Sequence, residues 1–369
     1  MVDHDAVAQQ SHAEAPEDAT TLRNGVIAAT AEMYSTDDPA ATTIWSYMLG
    51  ELSAHDVVQT LADPVDQAYT SADFGWRLWE MQQIARQQRE AWSAEEWDRI
   101  WGPLGDGVPQ PEGKREDRLS AEGELWELWG GVLLAGRRTS WRDEAGQNRL
   151  VDLCKAFKAR PDPPLPAKAT KALRNNWIWK SGRLWSELSM LGPSAREHWN
   201  DAPRESGGFS VAEVESWLNV NAFAARLSVA EVFDFSNYGI WALREALEEE
   251  PGGSNHASKS EKLGVSIREA AVWVSIAGRL MWEKVVRDDD GEPPVTVDAA
   301  TLPSDLPWSV KSRGQDTRDY TPSRWRFWKA RFRVLSERET LSDQAKLAAK
   351  DAAELMSEIE REKPLSGHS

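Results

Sequence analysis

The sequence predicts an all-α fold, an irregular multi-helix bundle held by tryptophan-rich helix-helix packing. Two observations carry this. Apolar residues recur at spacings of three and four along nearly the whole chain, while the β-branched alternation of strands is almost absent. Tryptophan follows the same spacing: Trp76/Trp79, Trp126/Trp129 and Trp325/Trp328 are three apart and Trp97/Trp101 four apart, so each pair shares one helical face and needs a partner to bury against. The starts at 76, 126 and 325 share no constant period, which excludes a regular solenoid.

Residues 1–21 lack apolar periodicity and are expected to form a disordered acidic tail. A single helical domain is expected over 22–361, followed by a disordered C-terminus at 362–369. Glycine and proline clusters predict mobile loops at 102–117, 248–262 and 291–321. None of these is a domain boundary, because indole-bearing segments continue on both sides.

The segment from Leu263 to Arg287 is apolar around most of its circumference, with Val265, Ala271, Val272, Ile276, Leu280, Trp282 and Val286 on several faces, which predicts a central helix. Thr321 followed by Pro322 is a start signal for a helix bearing Trp325, Trp328, Phe332 and Leu335. A last amphipathic helix is expected from Asp343 to Glu360, presenting Leu347, Leu355 and Ile359.

Composition narrows the chemistry. The chain of 369 residues has one cysteine, Cys154, and hence no internal disulfide; with no signal peptide and no apolar run of spanning length, a cytoplasmic protein without membrane contact is expected. The six histidines are scattered with no pair at ligand spacing, so no metal centre is expected. A formal charge of -17 argues against DNA.

The charge is segregated, however. Lys155, Lys158, Arg160, Lys168, Lys171, Arg174, Lys180 and Arg183 face the single acid Asp162, and Lys311, Arg313, Arg318, Arg324, Arg326, Lys329, Arg331 and Arg333 face only Asp316 and Asp319. Two basic islands therefore stand in an acidic chain. Either they solvate loops and helix flanks, or Lys155, Lys158, Lys168, Lys171, Arg174, Lys180, Arg183, Arg324, Arg326, Lys329 and Arg333 meet an RNA backbone, with Trp177 and Trp179 stacking on exposed terminal bases.

Directly after the central helix comes Asp288-Asp289-Asp290-Gly291-Glu292. Carboxylates at a helix C-terminus repel the dipole at about 0.3–1 kcal/mol each when exposed, so local stability does not explain them. They either form an acidic loop or hold Asp288, Asp289 and Glu292 at the mouth of a pocket. There they would bind Mg²⁺, fork around a guanidinium or take protons as general bases. The division of roles among the three stays open.

This run fits D-D-x-x-E. Together with "LGPSAREHWND" (191–201) and "RWRFWKARF" (324–332), it resembles a widespread fungal family of helical proteins of unknown function, and also the fungal arginine-containing cyclodipeptide synthases. The second resemblance implies an enzyme with no cofactor that condenses arginine, delivered as arginyl-tRNA, with a second aminoacyl group into a cyclic dipeptide for secondary metabolism. It implies Asp288, Asp289 and Glu292 as catalytic residues and two aminoacyl-tRNAs as partners. The residues are compatible: an aminoacyl ester is already activated, and the sequence contains neither G-x-x-x-x-G-K nor a G-x-G-x-x-G between strand and helix.

Other readings compete. Cys154 in "DLCKAFK" reads as a small core thiol, and Ser181 and Ser194 have no sequence-visible base. A terpene-type Mg²⁺ enzyme would carry its acidic motif within a helix and a second metal motif downstream; Gly291 and Pro293 break the helix and no such motif follows. A non-catalytic helical interaction protein is the main alternative.

Overall fold

A computed structural model describes residues 28–30, 32–34, 36–72, 79–80, 83–84, 86–87, 93–96, 120–164, 183–204, 208–249, 252–287 and 320–362. Among them there is no strand, and the fold is all-α. The expected tail at 1–21, the loop at 102–117, residues 291–319 and the C-terminus beyond Glu362 lie outside the described residues.

Ten helices with defined bounds follow one another: α1 (Pro39–Leu49), α2 (Ala54–Gln67, ending in a π turn at Ala68–Ala72), α3 (Ala121–Arg138), α4 (Glu144–Lys158), α5 (Leu191–His198), α6 (Val211–Val229), α7 (Ser236–Leu247), α8 (Lys259–Arg287), α9 (Pro322–Ser336) and α10 (Asp343–Glu362). Their starts are written in short polar side chains. Asp38, Ser53, Ser120, Asp143, Ser210 and Thr321 each accept a hydrogen bond from a first-turn backbone N–H of the helix that follows, satisfying donors that have no partner inside the helix. Gly50, at φ 85°, closes α1 in the left-handed conformation that glycine adopts without strain.

The helices pack around two hubs. In one half, α3 is contacted by α1, α2 and α5, and in the other α8 is contacted by α6, α7 and α10; α6 also packs on α3 and joins the halves. The expected central helix is α8, with Ile267, Trp273, Val274, Met281 and Val285 fully buried. It begins earlier than the sequence suggested. Lys259–Lys262, expected in a loop, form its first turn, because Ser258 and Glu261 bond each other's backbone N–H groups as a capping box.

Two expectations about the last helices are corrected. Leu347 faces solvent at 58% exposure, whereas the expected Ile359 is buried and Leu355 packs half-buried against the core, and α10 completes its contact face with Ala345, Ala349, Ala352, Ala353 and Met356. Arg331, read as part of a basic stripe, is buried at 2% exposure.

Candidate active site

The segment carrying the acidic run leaves the described fold after Arg287 and returns at Tyr320. Both flanks are tied to the same residue. Lys284, in the last turn of α8, donates to Ser236 Oγ and to Asp234 Oδ2 (3.0 Å). The Tyr320 hydroxyl donates to the Ser236 carbonyl at 2.8 Å. The Ser236 N–H in turn reaches Asp234 Oδ1 at 2.8 Å, so the first turn of α7 is a hydrogen-bonded knot. Burial alone would raise the Asp234 carboxyl, but the bonds from Ser236 and Lys284 hold it below its usual range. Burial pushes the Tyr320 phenol upward and keeps it a neutral donor.

Gly239, one turn along α7, explains how close this packing is. A Cβ there would stand 2.6 Å from Met281 Cε, 2.9 Å from Trp273 Cε3 and 3.1 Å from the Tyr320 hydroxyl.

Beside the knot lies an aromatic cluster. Phe235 packs against Phe233 (4.6 Å between centroids) and Tyr238 (5.5 Å); Tyr238 meets Trp199 at 4.6 Å and Trp241 at 4.8 Å. Trp241 is exposed and Trp199 leads inward to the buried Trp217 at 5.5 Å. The Tyr238 phenol is raised by burial, against the opposing pull of Arg196.

Two charged side chains sit deeper, and sequence reading missed both. Glu269 of α8 accepts from Trp217 Nε1 at 2.7 Å; burial, with Glu245 nearby, pushes its carboxyl up to about 8. Arg137 of α3, at 1% exposure, donates to the His198 carbonyl at 2.7 Å and to the Asp201 carbonyl at 3.3 Å and lies over the Trp217 ring. The signal for both was a charge inside an apolar segment, Glu269 beside Arg268 in "IREAAVW" and Arg137 beside Arg138 in "LLAGRRTSW".

Of the sequence-predicted site residues, Asp288, Asp289, Glu292, Lys168, Lys171, Arg174, Lys180, Trp177 and Trp179 lie outside the described residues. Lys155 pairs with Asp152 at 2.9 Å on the surface of α4. Lys158 donates to the carbonyls of Glu231 (3.0 Å) and Val232 (2.7 Å) beyond the end of α6. Arg183 opens the turn before α5, its carbonyl accepting from Ser189.

On α9, Arg324 forks onto Glu248 at 2.9 and 3.0 Å, Lys329 pairs with Glu360, and Arg333 donates to Ser357 at 3.0 Å. Arg326 is half-exposed. Cys154 is fully buried with its thiol pushed up to about 12 by desolvation, as befits a core residue. No group of three metal-ligating side chains stands together among the described residues, and none of the described helices is long and apolar enough to cross a membrane.

No curated protein and no solved structure matches this chain. One family does, over residues 129–332, more than half of the length, and the match takes in Arg137, Ser236, Glu269 and the acidic run. The chain therefore belongs to the family described as "Protein of unknown function (DUF3632)".

Proposed function

We propose that the chain is an aminoacyl-tRNA-dependent synthase, working in the cytoplasm, that joins arginine to a second amino acid as a cyclic dipeptide. The observation that supports this is the convergence of the two described flanks of residues 288–319, the stretch that contains the acidic run. Its flanks converge on Ser236, through Lys284 and Tyr320, beside an aromatic cluster that runs from the surface to the core. A reactive segment needs such fixed ends for positioned chemistry.

In this reading the α-amine of one aminoacyl ester attacks the carbonyl of the other, and the terminal hydroxyl of the second tRNA leaves. The freed amine of the resulting dipeptidyl ester then attacks its own remaining ester carbonyl, closing the ring and releasing the first tRNA. Each step needs an unprotonated amine, and a carboxylate among Asp288, Asp289 and Glu292 takes the proton or clamps the arginine guanidinium. The RNA backbone meets Lys168, Lys171, Arg174, Lys180, Arg183, Arg326 and Arg333.

One observation favours a second reading, a non-catalytic helical interaction protein: Arg324, Lys329 and Lys158 already bind groups of the chain itself. Expression in a host that supplies charged tRNAs, followed by mass analysis of small molecules, separates the two. A synthase yields cyclic arginine dipeptides, and Asp288→Ala or Glu292→Ala abolishes them without unfolding the chain. Absence of any cyclic dipeptide from a well-expressed wild-type chain supports the interaction protein instead.

A further inference from the structure

A cleft of about 620 Å³ lies on the surface between α4, α6 and α8. We infer that it binds a short zwitterion, of the size of a linear dipeptide, by its free ammonium and free carboxylate. The inference is independent of the proposed synthase chemistry.

The wall formed by α4 is ordered by charge. Glu144, Asn148, Asp152 and Lys155 follow one another along a single face, from an acid near the start of the helix to a cation near its end. Glu144 and Lys155 are about three turns apart, roughly 16 Å at the helical rise. Asp152 and Lys155 neutralise each other at 2.9 Å. The opposite wall presents Arg226, near the end of α6.

Arg226 is half-buried, its Nε has no hydrogen-bond partner, and no ion pair satisfies it among the described residues. Desolvation works against its charge, and the Glu144 carboxylate partly compensates. A half-buried guanidinium whose charge is opposed by desolvation gains from a carboxylate that reaches it from the cleft. Glu144 likewise has no ion-pair partner within the described chain. The floor between them is apolar, with Val151 buried and Ile276 half-buried.

Outside the Asp152–Lys155 pair, the charged groups of the cleft are thus one cation and one anion on facing walls, with Val151 and Ile276 among the lining. Local charge is balanced, which argues against a polyanion such as RNA, whose binding depends on positive potential. A planar carboxylate suits Arg226 as a forked acceptor, and an ammonium suits Glu144. The volume falls within the range of small-molecule sites.

The test is calorimetric titration of the full chain with alanyl-leucine, N-acetyl-alanyl-leucine and alanyl-leucine amide. Binding is expected for the free dipeptide and should weaken at least tenfold when either end is blocked. Glu144→Gln, an exposed change that leaves folding intact, should weaken the free peptide as much as acetylation does and leave the acetylated peptide unchanged. Arg226→Lys should weaken the free peptide and leave the amide unchanged. Equal binding of the three peptides, binding insensitive to both substitutions, or no binding of the free peptide at millimolar concentration would overturn the inference.

Discussion

The indole N–H of Trp217 donates to a carboxylate oxygen of Glu269 at 2.7 Å, joining α6 to α8 inside the core. With its carboxyl raised from 4.5 to about 8, Glu269 is mostly protonated at neutral pH. A group bound more tightly to its proton in the folded state contributes stability that is fully present below pH 4.5 and is lost as pH rises through about 8. The total at stake is roughly 3–5 kcal/mol. Urea unfolding at pH 5, 7 and 9 should show a falling midpoint in the wild type, and Glu269→Gln, which cannot ionise, should flatten that fall. A wild-type midpoint that is constant or rises between pH 5 and 9 would contradict this.

Arg137 serves the end of α5. Its guanidinium donates to the carbonyls of His198 and Asp201, which no helical N–H satisfies. Arg137→Met keeps the packing volume and leaves those carbonyls without a charged donor, so a loss of about 2–4 kcal/mol is expected. A purely stabilising apolar replacement is distinguishable by a second reading. The His198 imidazole is pushed down to about 4, by burial first and by Arg137 second; removing the cation should move its titration upward in NMR spectra. An unshifted histidine would mean that Arg137 is not the neighbour it is taken to be.

How much of this was legible in the sequence follows from what each feature depends on. Helix type and the centrality of α8 rest on periodicity, which a sequence displays directly, and Thr321 with Pro322 announced α9 because capping is local. Leu347 misled, since hydrophobicity says that a residue would gain from burial and not that a partner is there; four alanines with Met356 and the expected Ile359 were the contact surface. The partners of the basic residues on α9 were out of sight for a related reason. Arg324 finds Glu248 at a separation of 76 residues, and a pairing at that range has no signature in a single sequence. Glu269 and Arg137 were passed over because each stands beside a second charge, Arg268 and Arg138, and such a pair in an apolar run reads as the polar face of a helix until the facing helix is known.

Gly239→Ala tests the anchoring of the acidic segment without touching a carboxylate. The added methyl would press on Met281, Trp273 and the Tyr320 hydroxyl. The methionine terminus can swing away but the buried indole cannot, so a cost of about 1–3 kcal/mol is expected. Tyr320→Phe removes only the bond to the Ser236 carbonyl and should cost about 1 kcal/mol. Thermal unfolding measures both. If double anchoring matters to the chemistry, cyclic dipeptide yield should fall in Tyr320→Phe by more than the loss of folded protein explains.

Arg324 and Arg326 test whether the basic residues of α9 serve the fold or the proposed RNA contact. Arg324 is mostly buried, forks onto Glu248 and lies 5.1 Å from the Trp328 ring centre, while Glu248 also accepts from the Trp328 indole at 2.7 Å. Arg324→Gln leaves that partly buried carboxylate with the Trp328 indole and with Arg244 at 3.7 Å, and is expected to cost about 1–2 kcal/mol. Pairing it with Glu248→Gln should recover part of the loss, because the carboxylate that has lost its forked partner is then gone. Arg326 is half-exposed and Arg333 exposed, so their conversion to glutamine should leave the unfolding midpoint within about 0.5 kcal/mol of wild type. The same two changes should lower the slope of log affinity for tRNA against log salt by about one each if these side chains meet phosphates. Unchanged salt slopes in both variants, with Arg324→Gln destabilised as expected, would assign the whole α9 stripe to the fold and remove it from any RNA surface.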